Sequence, residues 1–269
     1  MSDDRDPEHQ PETLVACMQR LGRKYPHAGY GKILSRWLMS DHPQLYDSFG
    51  NGSAIRVSPV GLYANSLEEA LEVARITASV LHNHPEGIKG AQAIAGCVIL
   101  HKNISLGEED EIRRFVTEEI GYNLNFNLDD IRNIYSFGVT CQGRVLIAIK
   151  AYLERSSYPA EIALQLAISM GGDSDTIVAM TASIASAASF SVIGGGFRDE
   201  LVNQCRALLP SDLLDINDRR LQDLYKQEAV HYDTAAQHQW LIRGIPHQAQ
   251  GIDFCICFFQ LTQDFPSEP

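Results

Sequence analysis

The sequence predicts an all-α fold, and three observations carry that reading. Apolar residues recur at helical spacing through the middle of the chain, serine-led caps open two of the periodic runs, and period-two alternation is almost absent before residue 250. No internal repeat or low-complexity tract interrupts the pattern.

Ser66-Leu67-Glu68-Glu69 is a capping box: the hydroxyl accepts a backbone N–H, and the Glu three residues on reaches back. Leu67, Leu71, Ala74, Ala78 and Leu81 follow at offsets of four and three, so the spacing predicts a helix that ends near His82-Asn83-His84-Pro85. A second apolar run covers Ala91 to Leu100. Ser105-Leu106-Gly107-Glu108 opens a third helix with Ile112, Phe115 and Val116 inward. Thr140 to Arg155 reads as a further helix with Val145, Ala148, Ile149 and Tyr152 on its inner face. Ala160 to Met170 is another, stopped by Gly171-Gly172, and Asp173 starts the next. From Leu221 the pattern weakens, and the aromatic strip Phe254 to Phe259 reads as an edge strand or a partner-facing surface.

Composition narrows the function classes. The 269 residues are 45% hydrophobic, enough for an ordinary globular core, and the formal charge of −12 with no dense Lys/Arg stripe argues against nucleic acid. Met1 to Pro11 is polar and acidic, without the apolar run of a secretory signal, so a cytoplasmic location is expected. Six scattered cysteines fit reduced thiols better than a disulfide framework, and the close pair Cys255 and Cys257 has no second pair to complete a zinc site. Thr176 to Phe197 contains no charge, but six of its first sixteen residues are Ser or Thr and Gly194-Gly195-Gly196 closes it. That predicts a small-residue helix packed inside the domain rather than a membrane span.

Three segments could carry chemistry. In Gly171-Gly172-Asp173-Ser174-Asp175-Thr176, two carboxylates and a hydroxyl share the first turn of a helix, a set of hard oxygens suited to Mg²⁺. The same residue types also cap helices and match the helix dipole, and both readings stand at this level. In Ser48 to Pro59, the Gly50-Asn51-Gly52-Ser53 loop lets backbone amides approach a ligand, and Asn51, Ser53 and Arg56 add donors for phosphate or sugar hydroxyls. Asn-Gly is equally a plain turn signal. In His82 to Gly90, two imidazoles flank Asn83 at a helix end. Without a third soft ligand in view, they read as hydrogen-bonding groups rather than zinc ligands.

Together with Met18 to Pro26 and Tyr135 to Gln142, the order and wording of these segments resemble the ADP-ribosylglycohydrolase family, which includes the dinitrogenase reductase-activating glycohydrolases. The resemblance covers most of residues 18 to 215. It implies a compact orthogonal helical bundle that binds two Mg²⁺ ions and hydrolyses the bond between the anomeric carbon of ADP-ribose and arginine, serine or a small group. Carried over by position, Asp173, Asp175 and Thr176 would be metal ligands, while Gly50, Asn51, Gly52, Ser53 and His82 would contact ribose and phosphates. It divides the chain into a polar segment (1–17), the helical domain (18–220) and a divergent extension (221–269).

Two departures from the family pattern bear on activity. The family opens with a glycine-rich acidic helix and a Thr-Asp-Asp motif, which no segment before Met18 matches; Asp3-Asp4 is the one early acidic pair. The domain therefore reads as N-terminally truncated, with an incomplete Mg²⁺ site, weak or absent turnover, and apolar surface that a homodimer or the aromatic tail would cover. At Cys141 to Ile147, Arg144 stands where the family has a small hydroxyl residue, and it could either block the pocket or pair with a phosphate. The expected activity is a Mg²⁺-dependent hydrolase acting on ADP-ribosylated protein side chains or small ADP-ribose conjugates. The alternative is a non-catalytic ADP-ribose-binding module.

Overall fold

In the computed structural model, which describes residues 10–103, 107–135, 138–187, 197, 199–219 and 222, the chain is helical throughout, with no strand among the described residues. Its elements are α1 (Gln10–Lys24), α2 (Lys32–Met39), α3 (Gly52–Ile55), α4 (Ser58–Tyr63), α5 (Leu67–Ser79), α6 (Pro85–Asn103) and α7 (Asp110–Arg114), then α8 (Leu128–Ile131), α9 (Cys141–Arg155), α10 (Ala160–Ser169), α11 (Ser174–Ala187) and α12 (Asp199–Ala207). A further helix runs over 211–219.

The centre of the domain is α6. Its middle, Gly90 to His101, is buried at every position but Gln92 because it is mostly Gly, Ala and aliphatic residues, and the helix packs against α3, α4, α5, α9 and α11. Helices α9, α10 and α11 pack on one another and close the other half of the core. The charge-free stretch behaves as expected over its described part: every residue from Thr176 to Ala187 is buried. Its hydroxyls are satisfied locally, Thr181 donating to the carbonyls of Ile177 and Ala148 and Ser183 to that of Ala179. Residues 188–196 lie outside the described ones. Among the described residues no helix is long and apolar enough to cross a membrane.

The cap expected at Ser66 forms, Thr140 adds one at α9, and Ser105 lies outside the described residues. Ser66 Oγ accepts the Glu69 N–H at 3.1 Å, and Glu69 turns back to take the N–H and side-chain amide of Asn65. Thr140 caps α9 by accepting from Gly143, and Val145, Ala148, Ile149 and Tyr152 are all buried.

Several boundaries differ from expectation. Helix α5 stops at Ser79, and Leu81 instead joins Trp37, Leu38 and Val80 in a small core beneath α1 and α2. The apolar run Ala91–Leu100 is the middle of a longer helix that starts at Pro85, where the fixed φ of proline suits the first turn. Ser105 and Leu106 of the expected helix start lie outside the described residues; the described helix begins at Asp110, after Gly107 with its left-handed φ of 96°. After Arg114 the chain widens into one π-helical turn, Phe115–Glu119, with Ile112, Phe115 and Val116 still buried. The boundary expected at residue 17 falls inside α1, whose apolar face (Leu14, Val15, Met18) packs on that small core. The end of α1 is tied to the 211–219 helix through Lys24 and Tyr25, both bonded to Asp212. Cys17, Cys97, Cys141 and Cys205 are free thiols, while Cys255, Cys257, Asp3-Asp4 and the Phe254–Phe259 strip lie outside the described residues.

Candidate functional site

Two left-handed glycines build the acidic turn. Gly171 and Gly172 have φ of 70° and 66°, which L side chains rarely adopt, and they turn the end of α10 directly into the start of α11. Asp173 occupies the helix entrance, its carbonyl accepting from Ile177. Thr176 Oγ1 donates to Asp173 Oδ1 at 3.1 Å, so the two side chains form a polar cluster within one turn.

The glycine loop is brought to this turn from across the sequence. An isolated antiparallel bridge pairs Gly50 with Thr140, supported by Asn51 N–H to Val139 O at 2.9 Å and Cys141 N–H to Phe49 O at 3.0 Å. With its backbone fixed there, the Asn51 side chain donates Nδ2–H to Asp173 Oδ2 at 2.5 Å. The loop and the acidic turn are therefore one polar cluster.

The remaining candidates surround this contact. Gly52 lies against His82: a Cβ built on Gly52 would stand 2.9 Å from His82 Nε2, and one on Gly50 3.8 Å from it. His82 is buried, and Arg56 Nη1 lies 3.3 Å from its Nδ1. Ser53 is buried, and its hydroxyl donates to Gly87 O at 2.7 Å, so that side chain fastens α3 to α6. His84 accepts the Glu86 N–H on Nδ1 at the start of α6, so it caps a helix.

Two residues gain roles that local sequence did not disclose. Arg56 joins α3 to α5, donating to Gly52 O at 2.5 Å and Thr77 O at 3.0 Å. Arg144 is buried and folded onto Tyr135 and Gly138, with Nε donating to Gly138 O at 2.6 Å and the guanidinium 4.4 Å from the Tyr135 ring centroid. Its bidentate head was open to two readings in the sequence; in the structure it braces the loop that carries Val139 and Thr140.

The electrostatics are those of a carboxylate pair. Burial and the neighbouring Asp175 push Asp173 up to about 6, against the opposing bonds from Asn51 and Thr176. Burial and the charge of Arg56 push His82 down to about 3. Asp173, Asp175 and Thr176 offer only hard oxygens, and a buried carboxyl whose ionisation a neighbouring carboxylate disfavours belongs to a donor set that a hard divalent cation relieves. The residues thus fit such an ion as part of its coordination, with the other positions left to water or ligand. Among the described residues no group of three or more His, Cys, Asp or Glu side chains is gathered for a metal.

A protein of Archaeoglobus fulgidus described as uncharacterized is 28% identical over 200 residues, covering 70% of this chain and 66% of its own length, so the chain spans about two thirds of that relative. The ADP-ribosylglycohydrolase family model matches residues 4–232, a span that takes in both the glycine loop and the acidic turn. With the loop, the turn and the helical frame between them all inside that match, the chain belongs to the ADP-ribosylglycohydrolase family.

Proposed function

We propose that the chain hydrolyses the glycosidic bond of ADP-ribose conjugates, ADP-ribosylated protein side chains or small ADP-ribosyl compounds, with Mg²⁺ bound by Asp173, Asp175 and Thr176. The observation that carries this reading is the 2.5 Å bond from Asn51 to Asp173, which joins a sugar- and phosphate-binding type of loop to a cation-binding type of turn. In the reaction, water adds to the anomeric carbon, the bond to the side-chain nitrogen or oxygen breaks, and the leaving group takes a proton. A divalent cation held at the turn supplies Lewis-acid polarisation of ribose hydroxyls or the attacking water, and offsets phosphate charge. The residues of the chain bind and orient: Asn51 and the backbone of Gly50, Gly52 and Ser53 approach the ribose and phosphates, His82 adds a donor, and Asp173 is aimed by Asn51 and Thr176.

A second reading, a non-catalytic ADP-ribose-binding module, is favoured by one specific observation. Both oxygens of Asp173 already accept protein hydrogen bonds, so the turn is satisfied without an ion. The test is a glycohydrolase assay on ADP-ribosylated arginine and serine peptides, with Mg²⁺ and then with a chelator. Magnesium-dependent release of ADP-ribose, lost in Asp173→Ala, supports the hydrolase. Absence of turnover with ADP-ribose affinity unchanged by Asp173→Ala supports the binding module.

A further inference from the structure

The Arg56 guanidinium is enclosed between α3, α5 and the His82 ring, and no carboxylate among the described residues pairs with it. Its contacts are Gly52 O at 2.5 Å, Thr77 O at 3.0 Å and His82 Nδ1 at 3.3 Å, while Nε is buried without a partner among those residues. A guanidinium has five N–H donors and no lone pair to offer. The nitrogen of His82 that meets it must be the acceptor, which leaves the imidazole proton on the other nitrogen. That nitrogen, Nε2, is the one that lies against Gly50 and Gly52.

We propose that Arg56 is a positioning residue that fixes His82 as a neutral imidazole with its proton on Nε2, making His82 a permanent hydrogen-bond donor to an oxygen of the ligand. In this arrangement His82 neither ligates a metal nor shuttles a proton, since both tasks need a free lone pair that the Arg56 contact consumes. The identity of the ligand oxygen, on ribose or phosphate, rests on the function proposed above; the protonation state of His82 does not.

Three further observations support the assignment. The two carbonyls that hold Arg56 come from α3 and α5, so the fork is aimed by backbone rather than by a mobile side chain. The titratable groups facing His82 are Arg56 and Tyr46, whose ring centroid lies 6.5 Å away, and no carboxylate among the described residues offsets the push to about 3. His84, two residues on, also has Nδ1 occupied, by the Glu86 N–H, so the His-x-His pair presents no two facing lone pairs from its Nδ1 atoms.

The experiment is a set of long-range ¹H–¹⁵N imidazole correlation spectra of the full chain without ligand, with the His82 signals identified among the nine histidines by their loss in His82→Gln. The expected result is a neutral Nε2–H pattern from pH 5 to pH 8. A proton on Nδ1, or an imidazolium at pH 6, in the wild-type protein would overturn the proposal. Arg56→Met should release the ring to mixed tautomers that titrate closer to the ordinary 6.5, and Arg56→Lys, which keeps charge without the fork, should restore the lock only in part. Calorimetric titration with ADP-ribose then separates the two readings. Weakening of at least several-fold in Arg56→Met supports the positioning role, and unchanged affinity despite an altered tautomer overturns it. A wild-type protein with the locked tautomer and no ADP-ribose affinity overturns the ligand assignment and the function above, while the protonation of His82 stands.

Discussion

The side-chain amide of Asn51 and the carboxylate of Asp173 meet at 2.5 Å across 122 residues of chain, and this is the contact on which the site depends. It is held from both ends: the Asn51 backbone by the Gly50–Thr140 bridge, Asp173 by Thr176 and the glycine turn. Removing the amide leaves a half-buried acceptor with one partner fewer. Asn51→Ala should lower stability by about 1–2 kcal/mol in urea unfolding. It should also raise the titration midpoint of Asp173 above about 6, since the Asn51 bond favours the ionised form. A carboxyl titration followed by ¹³C NMR that stays in place would sink this account.

The raised Asp173 carboxyl gives stability a definite pH dependence. Folded Asp173 holds its proton up to about 6, whereas the unfolded chain releases it near the ordinary 3.8. Between those values the folded state binds more protons, so stability is lost as pH rises through the window and stays lower above it. Asp173→Asn removes the ionisation. The variant should match wild type near pH 3.5 and exceed it at pH 7.5 by about 1 kcal/mol, after discounting for solvent screening. Thermal unfolding in chelator at the two pH values checks the sign. Added Mg²⁺ should then stabilise wild type and not the variant, by linkage.

The glycine turn isolates backbone strain from packing. A Cβ on Gly171 would meet nothing within 4 Å, so Gly171→Ala tests the left-handed φ of 70° alone. The expected loss is about 1–2 kcal/mol, with part recovered in Gly171→Asn because Asn tolerates that region better. Equal stability of the Ala and Gly proteins in chemical denaturation would show that the turn is not held in this conformation.

Much of the frame was legible in the sequence because it is set by short-range rules. The Ser66 cap, the inner face of α9 and the double-glycine stop all follow from residues within one or two turns of each other. The burial of the charge-free α11 was legible too, since Ser and Thr can return their hydroxyls to the preceding turn. What was not legible is long-range. The bridge at Gly50 and Thr140 is a single backbone pairing without a period-two signature, and nothing local to Arg56 announces that it meets His82. Nor did the wording of Ser105–Glu108 disclose the left-handed φ of Gly107, three residues before the described start of α7 at Asp110. Ser53 read as a ligand donor because a hydroxyl beside Asn-Gly is polar in sequence; in the fold, Gly87 O claims it.

Arg144 carries two opposing effects that one substitution separates. It braces Gly138 through its carbonyl and Tyr135 through its ring, and its positive charge lies close enough to Asp173 for the two to interact. Arg144→Ser should therefore destabilise the fold by about 1 kcal/mol, since it takes the charged donor from a part-buried carbonyl. The same change removes a cation that, on the proposed function, would compete with a divalent ion for the acidic turn. Mn²⁺ affinity, read by calorimetry or from the paramagnetic ion's spectrum, should rise several-fold, on the order of 1 kcal/mol. Arg144→Lys keeps the charge but loses the planar fork, so it should lose stability without gaining Mn²⁺ affinity. If Arg144→Ser leaves Mn²⁺ affinity unchanged, the guanidinium serves the loop alone and the charge at the turn is set by Asp173 and Asp175.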